Sequence, residues 1–428
     1  MKDIVIFIAY YFPPYNVIAS QRAAKIAIEL TKINKHVIVL TVDTNQLPEK
    51  KIDLNFYQHL LANHNIEIIN IPIAKFGYED SEKATLFQKV ISAFLTRIFC
   101  SNGIFWYFPL KRVLKKILAE NSKAQLFVSG SPFLCFYLAY SFYKKKQIEY
   151  ILDYRDLWSD NPRAPYFGIA RFLIKRTLEK KSVSNAKGIL TVSDGCASIL
   201  RTIPLIKQSN IYVVRNLPDH SYKKNFYKHY LPINISSPER NIVFVGSIYS
   251  TCTFWPILNA LKALDTYLLA TIKVHYYGSS SKFIIDEFEK YGLSSVLVDH
   301  GYVSKLTSFQ ALQSASLLIS LIDDGKLPYD DAVAGIMTTK IFDYLLTGKP
   351  ILNIGPVNCD VVKFASQINY SNFYTFAALE SNEIRQFIED LFLLNRYQLI
   401  DNKSIMPDFE KEFTKVSCLF NSLGVQCS

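Results

Sequence analysis

The sequence predicts an α/β fold of two doubly wound domains, each a parallel sheet with crossover helices. Three observations carry that prediction. Short β-branched runs alternate with amphipathic stretches of helical period, the rhythm of strand–helix–strand units. The rhythm breaks in the polar, basic and aromatic stretch 221–240, which holds Pro232 and Pro238, and then resumes, as it does across a linker. The 428 residues suffice for two or three domains with full cores. The boundaries read from this pattern are 1–222 for the first domain, 223–238 for the linker, 239–405 for the second domain and 406–428 for a closing helix and tail.

Each element has its own reason. Residues 4–9 are an apolar run of strand length, and 20–33 place Ala23, Ala24, Ile26, Ala27, Leu30 and Ile33 on one helical face. Further strands are predicted at 36–41, 66–71, 125–129, 150–154, 188–192 and 211–214, with helices near 133–145, 168–183 and 195–202. The second domain repeats the scheme with strands at 241–245, 272–277, 295–298, 317–321 and 350–354. Its helices fall at 254–264, 282–291, 305–313 and 339–346. Phe409, Phe413, Val416 and Phe420 then line one side of a last helix over 408–421.

Composition narrows the function classes. Lys and Arg number 48 against 37 Asp and Glu, a net charge of +11, which favours an anionic partner: nucleic acid, an anionic membrane face or a phosphorylated substrate. Half the residues are apolar and a fifth charged, which excludes a disordered chain. The seven cysteines are widely spaced with no C-x-x-C, which predicts reduced thiols and neither a disulfide framework nor a zinc site. The opening apolar stretch is about eight residues long and runs into Pro13-Pro14, so it reads as a buried strand and not a signal peptide. The longest later apolar run, 132–143, is far short of the ~20 residues of a spanning helix.

In open α/β sheets, ligands sit at the carboxyl ends of the strands. After the first strand, two prolines stiffen a loop and the small residues Ala19 and Ser20 open a helix. Its N-terminal N–H groups suit an anion, and Arg22 adds a charge, unless it is an ordinary solvated helix residue. After the strand at 150–154, Asp153 and Asp156 flank Arg155 beside Trp158. This cluster reads as an acid, base or charge stabiliser, or as an ion pair next to a buried tryptophan. In the second domain, Gly246 before Ser247 and Gly278 before Ser279 end strands, where glycine lets a ligand approach the backbone. The strongest segment is 335–355. Thr338 and Thr339 are N-cap types, Lys340 brings a charge to the same helix start, and together they read as a diphosphate site. Asp343 lies one turn further on and suits the two hydroxyls of a ribose. The plain alternative is a Lys340–Asp343 surface pair worth ~0.3–0.5 kcal/mol. Finally, 92–116 interleaves Phe94, Phe99, Phe105, Trp106 and Phe108 with Arg97, Lys111 and Arg112. That is the composition of a segment lying on an anionic bilayer, or of a core helix with a solvated basic face.

Taken in order, these motifs resemble those of GT-B glycosyltransferases, in the retaining, family 4-like group that builds bacterial surface polysaccharides. The resemblance runs through Phe12, Pro13, Pro14 and Arg22; Val128, Ser129, Ser131 and Pro132; and Asp153, Arg155, Asp156 and Trp158. It continues with Thr191-Val192-Ser193, Arg215-Asn216, the segment 244–249, Tyr277-Gly278, Gly301-Tyr302-Val303 and the segment 340–350.

The resemblance implies two Rossmann-like domains facing a cleft, with the C-terminal helix crossing back to the first. It implies a nucleotide-sugar, UDP- or GDP-linked, as donor substrate on the second domain, held by Gly246, Ser247, Gly278, Thr338, Thr339, Lys340 and Asp343. It implies a polyprenyl-diphosphate-linked or oligosaccharide acceptor on the first domain, near Ala19, Ser20, Arg22 and Ser131, with Asp156 and Arg155 as the catalytic pair. It also implies no cofactor, no metal and no nucleic acid, and a cytoplasmic enzyme lying on the anionic inner membrane surface through Trp106, Phe108, Lys111 and Arg112. The chain departs from the pattern where the group's paired glutamates stand, at Gly335 and Asp343 here. Ser247 replaces a basic residue, and Ala19-Ser20 replace a glycine pair. Gly335 leaves a catalytically silent GT-B scaffold subunit as an alternative. A nucleotide-sugar-modifying enzyme or oxidoreductase on a doubly wound fold would carry G-x-G-x-x-G after the first strand, and residues 9–22 contain no glycine. A nucleic-acid binder would show a concentrated basic stripe or a reading module, and neither is evident.

Overall fold

The computed structural model describes residues 3–420 except 34, 50–51, 54–60, 62–63, 75–76, 78–83, 102, 163, 165, 204–209, 219–222, 225, 228–239, 247, 249–253, 280, 323–330, 395–406 and 408. The chain divides into two compact units, 1–216 with 410–428, and 217–409.

The first unit is built on seven strands: β1 (Ile4–Ala9), β2 (His36–Val42), β3 (Ile66–Ile71), β4 (Gln125–Ser129), β5 (Tyr150–Tyr154), β6 (Gly188–Thr191) and β7 (Ile211–Val213). Their order is β3-β2-β1-β4-β5-β6-β7, every pairing parallel. The central strands are apolar on both faces because helices cover both, which is why β1, β4 and β5 read as continuous apolar runs. The helix Ile18–Lys32 buries Ala23, Ala24, Ile26, Ala27 and Leu30. It starts two residues before the predicted position, because extended Val17 lets its carbonyl accept the N–H groups of Ser20 and Gln21. The stretch predicted as one helix over 168–183 is a helix Gly168–Ile174, a π-helical turn Lys175–Glu179 and a helix Lys180–Ser184.

From Glu410 on, the C-terminal helix Phe409–Phe420 belongs to this first unit. Phe413, Val416 and Phe420 are buried, and the Phe420 ring stacks on Phe127 of β4 at 6.0 Å. Glu412 accepts the Arg215 backbone N–H at 3.0 Å, and the Ser417 hydroxyl donates to Glu29 at 3.0 Å.

The second unit has six parallel strands: β8 (Arg240–Val245), β9 (Ile272–Tyr277), β10 (Leu297–Asp299), β11 (Leu317–Leu321), β12 (Ile351–Ile354) and β13 (Phe373–Phe376). Their order is β10-β9-β8-β11-β12-β13. One core cluster gathers Ile257, Leu261, Phe288 and Ile388 around Phe244 of β8. The other includes Val243, Leu318, Ile341 and Leu345. Phe226 is wholly buried in that second cluster, edge-on to Phe309 at 4.8 Å, so it is core and not part of a solvated linker. Tyr227 packs against the same cluster, and residues 225 and 228–238 of the predicted linker lie outside the described residues.

Cys100, Cys135, Cys196 and Cys359 are free and buried. Cys418 is disulfide-bonded, which corrects the reading of all seven cysteines as reduced thiols. Among the described residues, no helix is long and apolar enough to cross a membrane.

Candidate functional site

Each sheet reverses its strand order once, between β1 and β4 in the first unit and between β8 and β11 in the second. The crevice beyond the carboxyl ends of the strands at such a reversal is where doubly wound folds take ligands.

In the first unit the charges at this point are bound to one another. Arg22 is 2% exposed. Its Nε and Nη2 donate to the Asp153 carboxylate at 2.7–3.1 Å, and its Nη1 donates to the Val214 carbonyl and Asn216 Oδ1, each at 2.7 Å. Ser129 at the end of β4 donates to the same carboxylate at 2.9 Å. The pair thus ties the first helix to the ends of β4, β5 and β7, and Arg22 cannot face an acceptor phosphate. Ser20 is also wholly buried, because it shares a helix face with Ala23, Ala24 and Ala27, which pack inward. Ala19 and Ser131 are half-buried and remain at the crevice. Arg155 is half-buried, its Nε donating to the Gly130 carbonyl at 2.5 Å, and Asp156 is exposed.

Trp106 is 0% exposed, its indole N–H donates to the Ile71 carbonyl at 3.0 Å, and its ring meets Tyr10 edge-on at 4.9 Å. It is core, and the expectation that it touches a membrane is corrected. Phe108, Lys111 and Arg112, on the helix Tyr107–Glu120, are exposed.

Sequence reasoning passed over Glu179. The carboxylate is buried at the π-helical turn and accepts the N–H and hydroxyl of Ser159 and the Tyr154 hydroxyl. Burial pushes its pKa from 4.5 up to about 7. It therefore anchors the loop that carries Arg155 and Asp156. Its neighbours Lys180 and Lys181 make it look like a solvated helix residue, so the sequence carried no signal for it.

The second unit is arranged differently. β8 ends at Gly246, which has φ of +123° and whose N–H donates to the Tyr277 carbonyl at 2.8 Å. A Cβ on Gly246 would stand 3.1 Å from the Lys340 Nζ, and that ammonium lies 4.0 Å from the centre of the Phe244 ring. Tyr344, one helical turn on, pins the helix Lys340–Leu345 to the same strand end by accepting the Val245 N–H at 3.0 Å. Lys340 is thereby held over the β8 turn. A Cβ on Gly278 would fall 2.3 Å from the Gly246 carbonyl oxygen, so this glycine lets two strand ends meet each other and does not itself make room for a ligand.

The threonines do not cap as predicted. Thr339 precedes the helix in helical conformation with no side-chain cap, and the N–H groups of Ile341 and Phe342 bond the carbonyls of Thr338 and Thr339. With those amides taken, the helix start offers the Lys340 ammonium more than its backbone. The Thr338 hydroxyl is buried with no hydrogen-bond partner among the described residues. Asp343 is nearly buried, one turn beyond Lys340, and Gly335 is buried with its N–H on the Asp331 carbonyl. Ser247 lies outside the described residues. Two further features went unforeseen. His300 stacks on Tyr277 at 4.1 Å, with rings 2° from parallel, just beyond β9. Lys349 is buried, its ammonium donating to the carbonyls of Gln313 and Ala315, and burial lowers its pKa to about 7.

No protein-family profile and no curated protein matches this sequence. Solved structures do match over nearly the whole chain. Sucrose-phosphate synthase from Thermosynechococcus elongatus aligns at 11% identity over 99% of each chain, with a TM-score of 0.65. HepE of Anabaena, in complex with UDP, aligns at 10% identity over 98% of this chain and 100% of its own, with a TM-score of 0.63. UDP-N-acetylglucosamine 2-epimerase from Rickettsia bellii aligns at 11% identity over 99% of this chain and 97% of its own, with a TM-score of 0.53. The fold is GT-B. As a GT-B chain, it presents one switch point closed by its own ion pair and a second where a lysine stands over a glycine turn.

Proposed function

We propose that this chain is a retaining glycosyltransferase, acting in the making of a bacterial surface polysaccharide such as a capsule, O-antigen or exopolysaccharide. The second unit takes a UDP- or GDP-sugar. Lys340 and the turn at Gly246 face the diphosphate, Thr338 and Thr339 lie beside them, and Asp343 takes the ribose. The first unit takes a polyprenyl-diphosphate-linked glycan or an oligosaccharide, at Ser131 with Arg155 and Asp156.

The observation that carries this reading is the Lys340 ammonium, held over the β8 turn at the switch point of the second sheet. Sugar transfer from such a donor leaves a nucleoside diphosphate, so charge develops on the phosphate oxygens as the glycosidic bond breaks. A preorganised cation there stabilises the transition state more than the ground state. Phe244 and Tyr344 orient the cation, and Lys340 supplies the positive charge that other sites take from a metal ion. Arg155 and Asp156 orient the acceptor on the first unit. That HepE has been crystallised with UDP supports the choice of donor.

The test is release of nucleoside diphosphate from UDP- and GDP-sugars, with and without lipid-linked acceptor, by the full chain. Acceptor-dependent release that falls ~100-fold in Lys340→Ala supports the assignment. Two other readings have their own outcomes. Conversion of the nucleotide-sugar without an acceptor identifies a nucleotide-sugar-modifying enzyme, a chemistry for which the likeness to the epimerase speaks. Donor binding without turnover identifies the silent scaffold for which Gly335 speaks.

A further inference from the structure

The turn that carries Arg155 and Asp156 is gripped by charged side chains from one run of helix. The Glu179 residue is 1% exposed. Its Oε1 accepts the Tyr154 hydroxyl at 3.2 Å, and its Oε2 accepts the Ser159 N–H at 3.4 Å and the Ser159 hydroxyl. Tyr154 immediately precedes Arg155, and Ser159 lies three residues after Asp156. One carboxylate therefore joins the two ends of the turn. Between those ends Leu157 and Trp158 are buried, and the Trp158 ring stacks on Phe133 at 5.8 Å. Arg171, eight residues before Glu179, holds the chain that leaves the turn. Its Nη1 donates to the carbonyls of Ser159 at 2.9 Å and Asn161 at 2.7 Å, and its Nη2 donates to that of Ala164. Lys175 pairs with Asp160 at 2.6 Å.

The helix is built to turn Glu179 inward. Ala170, Ile174, Glu179 and Val183 form its buried stripe, at steps of four, five and four. An unbroken α-helix would bring Leu178 to the stripe after Ile174, and Leu178 is only half-buried. The π-helical turn Lys175–Glu179 supplies the extra residue, and such turns recur at functional sites. Packing alone asks for an apolar side chain at this position. A buried carboxylate costs desolvation, which is what pushes its pKa up to about 7. Three donors, one from before the Arg155–Asp156 pair and two from after it, offset that cost.

We propose that Glu179 is a positioning residue for the acceptor side of the transfer, fixing Arg155 and Asp156 by bridging Tyr154 to Ser159. Its effect on turnover rests on the proposed reaction, and its geometry does not. An ionised carboxylate accepts all three donors in charge-assisted bonds, whereas a protonated one must turn one oxygen into a donor. The bridge is therefore firmest above the pKa of Glu179, and turnover should rise with pH. Stability runs the other way, because a carboxyl with a raised pKa loses its contribution as pH rises through about 7. The ionisable groups facing Glu179 leave that window to it. Asp160 is paired with Lys175, and Arg171 is bound to three carbonyls. Burial pushes Tyr154, Tyr166 and Cys100 upward, Cys100 to about 11.

The test compares the full unaltered chain with Glu179→Gln, by acceptor-dependent release of nucleoside diphosphate, from about pH 5.5 to about pH 8.5. The ratio of their kcat values should be near one in acid and rise at least ~3-fold through about pH 7, with donor affinity equal in the two chains. Tyr154→Phe removes a hydrogen bond that lowers the Glu179 pKa, so it should move the rise to higher pH. A ratio that stays constant with pH, or falls as the melting temperature falls, is that of a purely structural carboxylate and overturns the proposal. Hydrogen exchange of residues 155–161 reads the bridge without turnover. At about pH 8, Glu179→Gln should speed exchange there at least ~3-fold and leave β1 and β4 unchanged. Equal exchange in the two chains overturns the proposal. No turnover by the unaltered chain, with the exchange difference present, sinks the transfer reading and leaves the bridge standing.

Discussion

The two switch points use basic side chains to opposite ends. In the first unit, Arg22 is sealed under the sheet ends by Asp153, Ser129, Asn216 and the Val214 carbonyl. In the second, Lys340 is held by an aromatic face and by its neighbour Tyr344 over a turn that lacks a Cβ. Both residues sit near a helix start beside a strand end and look alike in sequence. Burial separates them. A guanidinium with its donors engaged inside the protein is architecture, and an ammonium held against a turn where a Cβ would crowd it stands at the strand end where such folds take ligands.

Asp153→Ala breaks the contrast most severely. It leaves the Arg22 charge buried without its partner, which costs about 3–5 kcal/mol. The melting temperature of the first unit should fall by roughly 10 °C, measured by calorimetry. A fall of a degree or two would mean that the pair is not structural. Lys340→Ala should do the reverse. Turnover drops ~100-fold, while loss of the cation–π contact with Phe244 costs stability about 0.5–1 kcal/mol.

Gly246→Ala sharpens the same point. Its φ of +123° strains any side chain, and the new methyl crowds the Lys340 ammonium. Donor affinity should weaken about 10-fold, equivalent to ~1.4 kcal/mol, as read by titration calorimetry. Glu179→Gln has the smallest effect. The folded-state pKa of Glu179 is raised from 4.5 to about 7, so its contribution to stability is fully present below 4.5 and lost as pH rises through about 7. The fall in melting temperature between about pH 5 and about pH 8 should therefore be shallower in the variant by a few degrees. An unchanged slope would show that this carboxylate does not titrate with folding.

Much of this was legible in the sequence. Buried parallel strands announce themselves as unbroken apolar runs, and both sheets follow from them. β13 did not, because Phe373–Phe376 is a half-buried edge strand with no such run. Lys340 and Gly246 were legible as strand-end and helix-start chemistry. The Arg22–Asp153 pairing was not, because its partners are 131 positions apart and each looks like an exposed site residue. Trp106 misled for a related reason, since an aromatic residue among basic ones has the same composition whether it points inward or outward. Glu179 was hidden by the lysines that follow it.

The central claim is that the second unit holds a nucleotide-sugar through Lys340. Titration calorimetry of UDP- and GDP-sugars against the unaltered chain, Lys340→Ala and Arg155→Ala tests it most directly. One donor class should bind the unaltered chain and Arg155→Ala alike, and bind Lys340→Ala at least ~10-fold more weakly, the measure of a lost charged contact. No binding by either donor, or equal binding by Lys340→Ala, would contradict it.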